Sequence, residues 1–268
     1  MTTITLQDKE FIIFQKIIFK EAGITLSDKK RVLVQSRLLK RVHFYRLNSF
    51  TDYIRLIQIN KQELNEMVNL LTTNETYFFR EIEHFEFLQK VVIPENMHKM
   101  KLRVWSAASS VGAEAYSAAM LIDSKLSKNR WEILGTDINS EVIKKARIGL
   151  YPEKWIEKIP KTLRSKYCLK GKGQHEGQFL IDRTLVSNMT FQTANLLEAN
   201  KEFGKFDLIF LRNVLIYFDV DTKQKVVDNV IDRLEIGGYF IISLTENLNM
   251  LKTPKLKQVQ TSIYQRVK

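Results

Sequence analysis

Up to Leu71 the apolar positions recur at helical spacing. Phe11, Ile12, Phe14, Ile17 and Ile18 mark one stripe of a first helix, which Gly23 breaks. Ser27 or Asp28 is placed to cap a second helix running to about Val42. Ser49 or Thr51 can start a third, and Lys61 to Leu71 reads as a fourth. The region contains no proline, so nothing forbids four uninterrupted helices. From Leu102 the pattern changes. Leu102–Ser106, Trp131–Thr136, Met189–Thr193, Phe206–Leu211 and Tyr239–Ser243 are short apolar strands. Helical stretches alternate with them: Glu114 to about Leu126, Ser140 to Ile148 and Thr222–Leu234. Continuous apolar strands separated by helices predict a parallel sheet covered on both faces, an α/β doubly wound, Rossmann-like domain. Tyr167 to Phe191 breaks that rhythm, with Gly171, Gly173 and Gly177 followed by alternating Phe179, Ile181 and Leu185. It predicts a small β insertion. The expected organisation is an all-α N-terminal domain over 1–71, a linker over 72–100, and an α/β domain over 101–268 with its β subdomain at about 167–191.

Composition narrows the class. With 268 residues and 44% hydrophobic content, the chain is long enough for two moderate globular domains. No apolar run approaches the ~20 residues that span a bilayer, and Met1 to Glu10 has no basic segment followed by an apolar core. A cytoplasmic protein is expected. One cysteine, Cys168, allows neither an internal disulfide nor a thiolate metal cluster, and the four histidines are scattered without zinc-ligand spacing. No metal is expected. The net charge of +12 favours an anionic partner without identifying it.

Candidate chemistry collects where an open α/β sheet binds ligands, beyond the carboxyl ends of its strands. The loop Ser106–Gly112 is built of small residues that let backbone approach a ligand, although tight turn packing explains it equally well. Gly112 is its sole glycine, so it is not a phosphate cradle. Asp137 ends the second strand, 25 positions after Gly112, where it can accept hydrogen bonds from ribose hydroxyls or cap the helix near Ser140. Glu114 begins a helix, where the dipole favours a carboxylate and where it can also face a cationic ligand. Asn195 and Leu196 follow the Met189–Thr193 strand, where they can contact an adenine, and Arg212-Asn213 follow Phe206–Leu211, with Tyr217 beyond. A nucleotide-like ligand with no phosphate cradle and carboxylates around it suggests S-adenosylmethionine, which carries a ribose and a sulfonium but no phosphate. Thr72-Thr73-Asn74-Glu75-Thr76-Tyr77-Phe78-Phe79-Arg80-Glu81 gathers hydrogen-bonding side chains, aromatics and a guanidinium at a domain junction. It reads as part of a binding site or as a helix start capped by Thr73 or Asn74.

Taken together, the 72–81 segment, Trp105-Ser106-Ala107, Gly112–Ser117, Gly135-Thr136-Asp137-Ile138, Asn195-Leu196-Leu197 and Phe206–Asp219 resemble the chemotaxis-receptor glutamate O-methyltransferases of CheR type. Order and spacing match over nearly the whole chain. The resemblance implies a helical domain, a linker and a methyltransferase domain with a small β subdomain. It implies S-adenosylmethionine contacts at Asn74, Thr76, Arg80, Glu114, Asp137, Asn195, Leu196, Arg212 and Asn213, with Arg80 and Tyr217 near the transferred methyl. The chain departs from the family pattern at Ala108-Ser109 in place of Gly-Cys, at Ala113 and Ala115 around Glu114, and at Leu244-Thr245-Glu246 in place of His-Ser-Glu.

The implied reaction is displacement of the cofactor methyl by a glutamate carboxylate, ionised at neutral pH since its ordinary pKa is about 4.3. No general base is needed. Arg80 would orient the carboxylate or the cofactor end of the site, and Tyr217 would donate a hydrogen bond or pack against the methyl. Lys30, Arg37 and Arg41 lie on a helix rich in bases and free of acids. They could dock the acidic methylation helices of a membrane receptor, form a solvated face, or meet nucleic acid, for which stacking aromatics are few. The β insertion could take a receptor-tail peptide, as in some relatives. Two other readings stay open: an S-adenosylmethionine-dependent enzyme acting on RNA or another protein, and a non-catalytic module that senses the cofactor or binds receptors.

Overall fold

The computed structural model describes residues 4–268. The chain forms two compact units, one holding the residues up to Thr73 together with Tyr217–Thr222, the other Asn74–Ile216 and Lys223–Lys268.

In the first unit α1 (Asp8–Ala22) opens with a capping box between Gln7 and Glu10 and closes at Gly23, whose left-handed backbone (φ 71°) no β-carbon favours. The expected start at Ser27 is displaced: Asp28–Lys30 form a single 3₁₀ turn, Ser27 makes no side-chain cap, and α2 runs Arg31–Phe44. α3 (Phe50–Ile59) is capped by Ser49, and α4 (Lys61–Leu71) by Asn60. Phe14, Leu38, Phe50, Tyr53 and Met67 fill the core between them.

That core also holds a carboxylate. Glu63 of α4 is buried and accepts hydrogen bonds from Arg41 Nε (2.8 Å), Tyr45 Oη (2.9 Å) and Tyr53 Oη (2.8 Å). Burial pushes its pKa up, but these three donors outweigh burial and leave it lowered. Arg37 Nη1 donates to the carbonyls of Leu70 (2.9 Å) and Thr72 (3.0 Å) at the end of α4. Two of the three basic residues singled out are thus engaged within the helical unit. Arg37 and Arg41 are spent on α4, and of the three residues only Lys30 is fully exposed.

The second unit contains a seven-stranded sheet. Its strands are β1 (Leu102–Ala107), β2 (Trp131–Asp137), β6 (Met189–Thr193), β7 (Phe206–Leu211), β8 (Leu234–Ile241), β9 (Leu256–Gln260) and β10 (Ile263–Arg266), in the order β6-β2-β1-β7-β8-β10-β9. β6, β2, β1, β7 and β8 pair in parallel, while β10 is antiparallel to both neighbours. Every residue of β7 is buried, as the apolar run Phe206–Leu211 requires of a central strand. The C-terminal hairpin escapes the hydrophobic pattern because β9 is an edge strand with mostly exposed side chains. The strand order reverses between β1 and β7, where Ala107 pairs with both Thr136 and Leu211. This is a topological switch point, and it brings the loops after β1, β2 and β7 to one edge.

Helix α5 (Ile82–Phe87) continues through a π turn over Leu88–Val92, and α6 (Ala113–Asp123), α7 (Ser140–Ile148), α8 (Lys161–Tyr167) and α9 (Val220–Ile231) follow. No helix among the described residues is long and apolar enough to cross a membrane. The β insertion is a three-stranded antiparallel sheet in which β5 (Gln178–Ile181) sits between β3 (Leu150–Pro152) and β4 (Cys168–Lys170). Its first strand lies upstream of the glycine-rich stretch, and Phe191 belongs to the main sheet instead.

Candidate cofactor and methyl-transfer site

The 72–81 segment is not a helix start. It is irregular, with Phe78 and Phe79 buried, and α5 begins only at Ile82 without a side-chain cap. Phe79 (φ 55°) and Glu81 (φ 57°) are left-handed, which turns the chain sharply on either side of Arg80. Arg80 is half-buried; its Nη1 donates to the Glu75 carbonyl (3.1 Å) and its guanidinium lies 5.8 Å from the Tyr77 ring centre. Among the described residues no carboxylate forms an ion pair with it.

The next guanidinium is used very differently. Arg212, directly after β7, has a side chain only 1% exposed and pairs with Glu114 Oε2 at 2.8 Å and Glu81 Oε2 at 3.2 Å. It also donates to the Arg80 carbonyl. Ser106 Oγ at the end of β1 donates to Glu114 Oε1 (2.7 Å). Glu81 further accepts from Ser243 Oγ (2.7 Å), Leu244 N (3.0 Å) and Asn213 Nδ2 (3.3 Å). Burial alone would raise the Glu81 pKa, yet the Arg212 charge and these hydrogen bonds hold it at about 2. Glu114 is buried more deeply, and burial keeps its pKa raised despite Arg212 and Ser106. Asn213 is left-handed (φ 58°); its N–H donates to Glu246 Oε2 (3.0 Å) and its amide to Ser243 Oγ (2.7 Å).

Beside this cluster, the Asp137 carboxylate accepts from Ser110 N and Asn139 N, both at 2.9 Å. Asp137 does not cap α7. Asn139 does, accepting from Glu141 N (2.9 Å) and Val142 N (3.2 Å). Burial raises the Asp137 pKa against its backbone donors. Ser110 Oγ donates to the Asn74 carbonyl (2.8 Å), which ties the 72–81 segment to the loop after β1. Thr76 lies half-buried in that segment. Asn195 follows the end of β6, whose neighbour Ala194 donates to the Asp137 carbonyl (3.0 Å), and the Leu196 carbonyl accepts from Asn229 Nδ2 (3.1 Å). The fold thus gathers Asn74, Arg80, Glu114, Asp137, Arg212 and Asn213 at one sheet edge. Tyr217 clusters with the helical unit, its carbonyl accepting from Thr25 N (2.8 Å).

Comparison with known proteins decides the family. Residues 9–72 match the CheR methyltransferase all-alpha domain, and residues 74–265 match the CheR methyltransferase SAM binding domain. The chain belongs to the CheR methyltransferase family. It is 35% identical over 254 residues to the chemotaxis protein methyltransferase of Escherichia coli (strain K12), covering 93% of this chain and 88% of that protein. It is 35% identical over 246 residues to the chemotaxis protein methyltransferase of Borreliella burgdorferi, covering 87% and 86%. Chemotaxis protein methyltransferase 1 of Vibrio cholerae is 34% identical over 268 residues, covering 97% of this chain and 96% of that one.

The donor set of this CheR chain fits S-adenosylmethionine. Glu81 and Glu114 both pair with the Arg212 guanidinium, so the cluster gathers carboxylates that suit a sulfonium or ammonium. Asp137 accepts from the backbone of Ser110, Asn139 and Ile138, and a carboxylate's remaining acceptor capacity suits a ribose hydroxyl.

The departure at Ala108 has a measurable consequence. Ala108 is left-handed (φ 65°), a conformation that costs a residue with a β-carbon and that the family's usual glycine adopts freely. Ala108→Gly is expected to stabilise the protein by roughly 0.5–1 kcal/mol, the relief of strain exceeding the added freedom of the unfolded chain. Urea denaturation measures this, and a lower midpoint would show that the loop is not strained.

Glu81, Ser243 and Glu246 lie in stretches the sequence reading named but were not among its site residues. The signal that singled out Arg212-Asn213, polar residues directly after a buried strand, also applies to Ser243 after β8. Glu81 adjoins Arg80, but only the left-handed turn directs its carboxylate to the sheet edge. Its depressed pKa gives a pH test. A carboxylate with a lowered folded-state pKa contributes stability that is present above its unfolded value and lost as pH falls toward the folded one. The stability difference between the native protein and Glu81→Gln should therefore narrow as pH falls from about 4.5 to about 2. Urea titrations across that window check it, and a constant difference would show that Glu81 is not held ionised.

Proposed function

We propose that this protein transfers the methyl group of S-adenosylmethionine to glutamate side chains of chemotaxis receptors, forming glutamyl methyl esters. The observation that carries this reading is the contrast between two guanidiniums. Arg212 is paired with the internal carboxylates Glu81 and Glu114, whereas among the described residues Arg80 has no anionic partner and remains for an external carboxylate. When bound, S-adenosylmethionine supplies an electrophilic methyl on a sulfonium. Asn74, Thr76, Glu114, Asp137, Asn195, Leu196, Arg212 and Asn213 would hold it, the carboxylates taking its ribose and its positive charge. Arg80 would aim the acceptor carboxylate, already ionised at neutral pH, and Tyr217 would donate a hydrogen bond or pack beside the reacting group. Opposite charges approach and cancel, so a site that excludes water favours the reaction, and positioning supplies most of the rate.

The acidic methylation helix of a receptor would meet the basic helix α2 and the turn before it, with exposed Lys30 of that turn offering charge and Arg37 and Arg41 contributing only as far as their bonds to α4 leave them free. A receptor-tail peptide would add to an open edge of the small sheet, β3 or β4, by strand addition. The test is transfer of radiolabelled methyl from S-adenosylmethionine to receptor-containing membranes, read as base-labile volatile methanol. Methanol release identifies a carboxyl ester. Label that stays base-stable would assign the methyl to an amine or nucleic acid and overturn the proposal.

A further inference from the structure

We infer that Glu81 is a positioning residue for methyl transfer, fixing the backbone at Arg80 so that its guanidinium is aimed before substrate arrives. The inference rests on the reading of Arg80 given above. Two left-handed residues with β-carbons, Phe79 and Glu81, flank Arg80. Each such conformation is strained and persists only where the surroundings over-determine it. Here they do. Phe79 N–H donates to Ser117 Oγ at 3.0 Å, the Arg80 carbonyl accepts from Arg212, and the Glu81 carboxylate accepts from Ser243, Leu244 and Asn213 and is ion-paired with Arg212. By contrast, among the described residues the Arg80 side chain has one hydrogen bond, to the Glu75 carbonyl, and a ring contact with Tyr77, both within its own segment. Its direction is therefore set by its backbone, and its backbone is clamped on the C-terminal side by Glu81. The same carboxylate touches Asn213, so one residue registers the 72–81 segment against the ends of β7 and β8.

Glu81→Gln keeps the shape but places an amide donor among N–H donors, so at least one clamp contact is lost. Methanol-release kinetics on receptor membranes are measured for the native enzyme, Glu81→Gln, Arg80→Lys and the double variant, at a temperature where circular dichroism shows each folded. Glu81→Gln is expected to lower kcat on the order of ten- to a hundredfold with the receptor KM within about twofold. In the Arg80→Lys background it should change kcat by less than about twofold, because the two residues act as one unit. A native kcat in Glu81→Gln, or losses that multiply in the double variant, overturns the inference. Should Glu81→Gln fail to fold, Ser243→Ala removes one donor and keeps the carboxylate. A kcat loss that vanishes with Arg80→Lys then supports the clamp, and an unchanged kcat overturns it. A native enzyme that releases no methanol fails the underlying reading of function, which multiplicative losses leave intact.

Discussion

Arg80→Ala is expected to reduce kcat/KM for receptor methylation on the order of a hundredfold, with the fold intact. The side chain is half-buried, carries no ion pair among the described residues, and spends a single hydrogen bond on the neighbouring Glu75 carbonyl. Its removal therefore leaves no buried charge unmatched, and the stability cost should be small. The catalytic cost is different in kind. A carboxylate attacking a methyl must lie in line with the departing group, and a guanidinium fixes a carboxylate through paired hydrogen bonds that a methyl side chain cannot replace. Arg80→Lys keeps the charge without the planar fork and should fall between the two. Methanol-release kinetics beside thermal melts separate these effects. An Arg80→Ala enzyme with native turnover would remove Arg80 from the reaction.

Arg212→Met should do the reverse and strike the fold. It leaves Glu81 and Glu114 close together without their shared cation, and breaking a buried ion pair from one side typically costs about 3–5 kcal/mol. The sign of its pH dependence follows from Glu114. Burial already raises that carboxyl's pKa against the pull of Arg212, so losing Arg212 raises it further. A group whose folded-state pKa lies above its unfolded value favours folding at low pH and loses that contribution as pH rises through the folded value. The variant should accordingly recover part of its lost stability in mildly acidic solution. Urea unfolding at two pH values measures both effects, and a variant as stable as the native protein would show that Arg212 is not the electrostatic centre of the cluster.

The chain's own pattern determined a good deal. Helical periodicity before Leu71 and buried apolar strands after Leu102 specified a helical region followed by a doubly wound sheet, because residues at i, i+3 and i+4 can share a buried stripe and a strand covered on both faces must be apolar throughout. The cofactor class was legible from position and composition together: Asp137, Glu114 and Arg212-Asn213 fall where such a sheet opens, and the loop after the first strand lacks a phosphate cradle. Local pattern was weaker at caps and edges. Asn139 takes the cap that Asp137 was also suited to, and β9 carries too few buried side chains to mark itself as a strand.

Only the tertiary structure decided how the charges are allotted. Along the sequence Arg37 and Arg41 look like part of a basic face, and nothing in the local pattern of Arg80 or Arg212 shows which of them has an internal carboxylate. Folding supplies Glu63 and carbonyls at the end of α4 to the first two, and Glu81 and Glu114 to Arg212, while among the described residues Arg80 is left without a counter-ion. The reason is physical: a buried charge must find a partner, and partners separated by as many as 163 positions meet only when the sheet brings strand ends and the 72–81 segment to one edge.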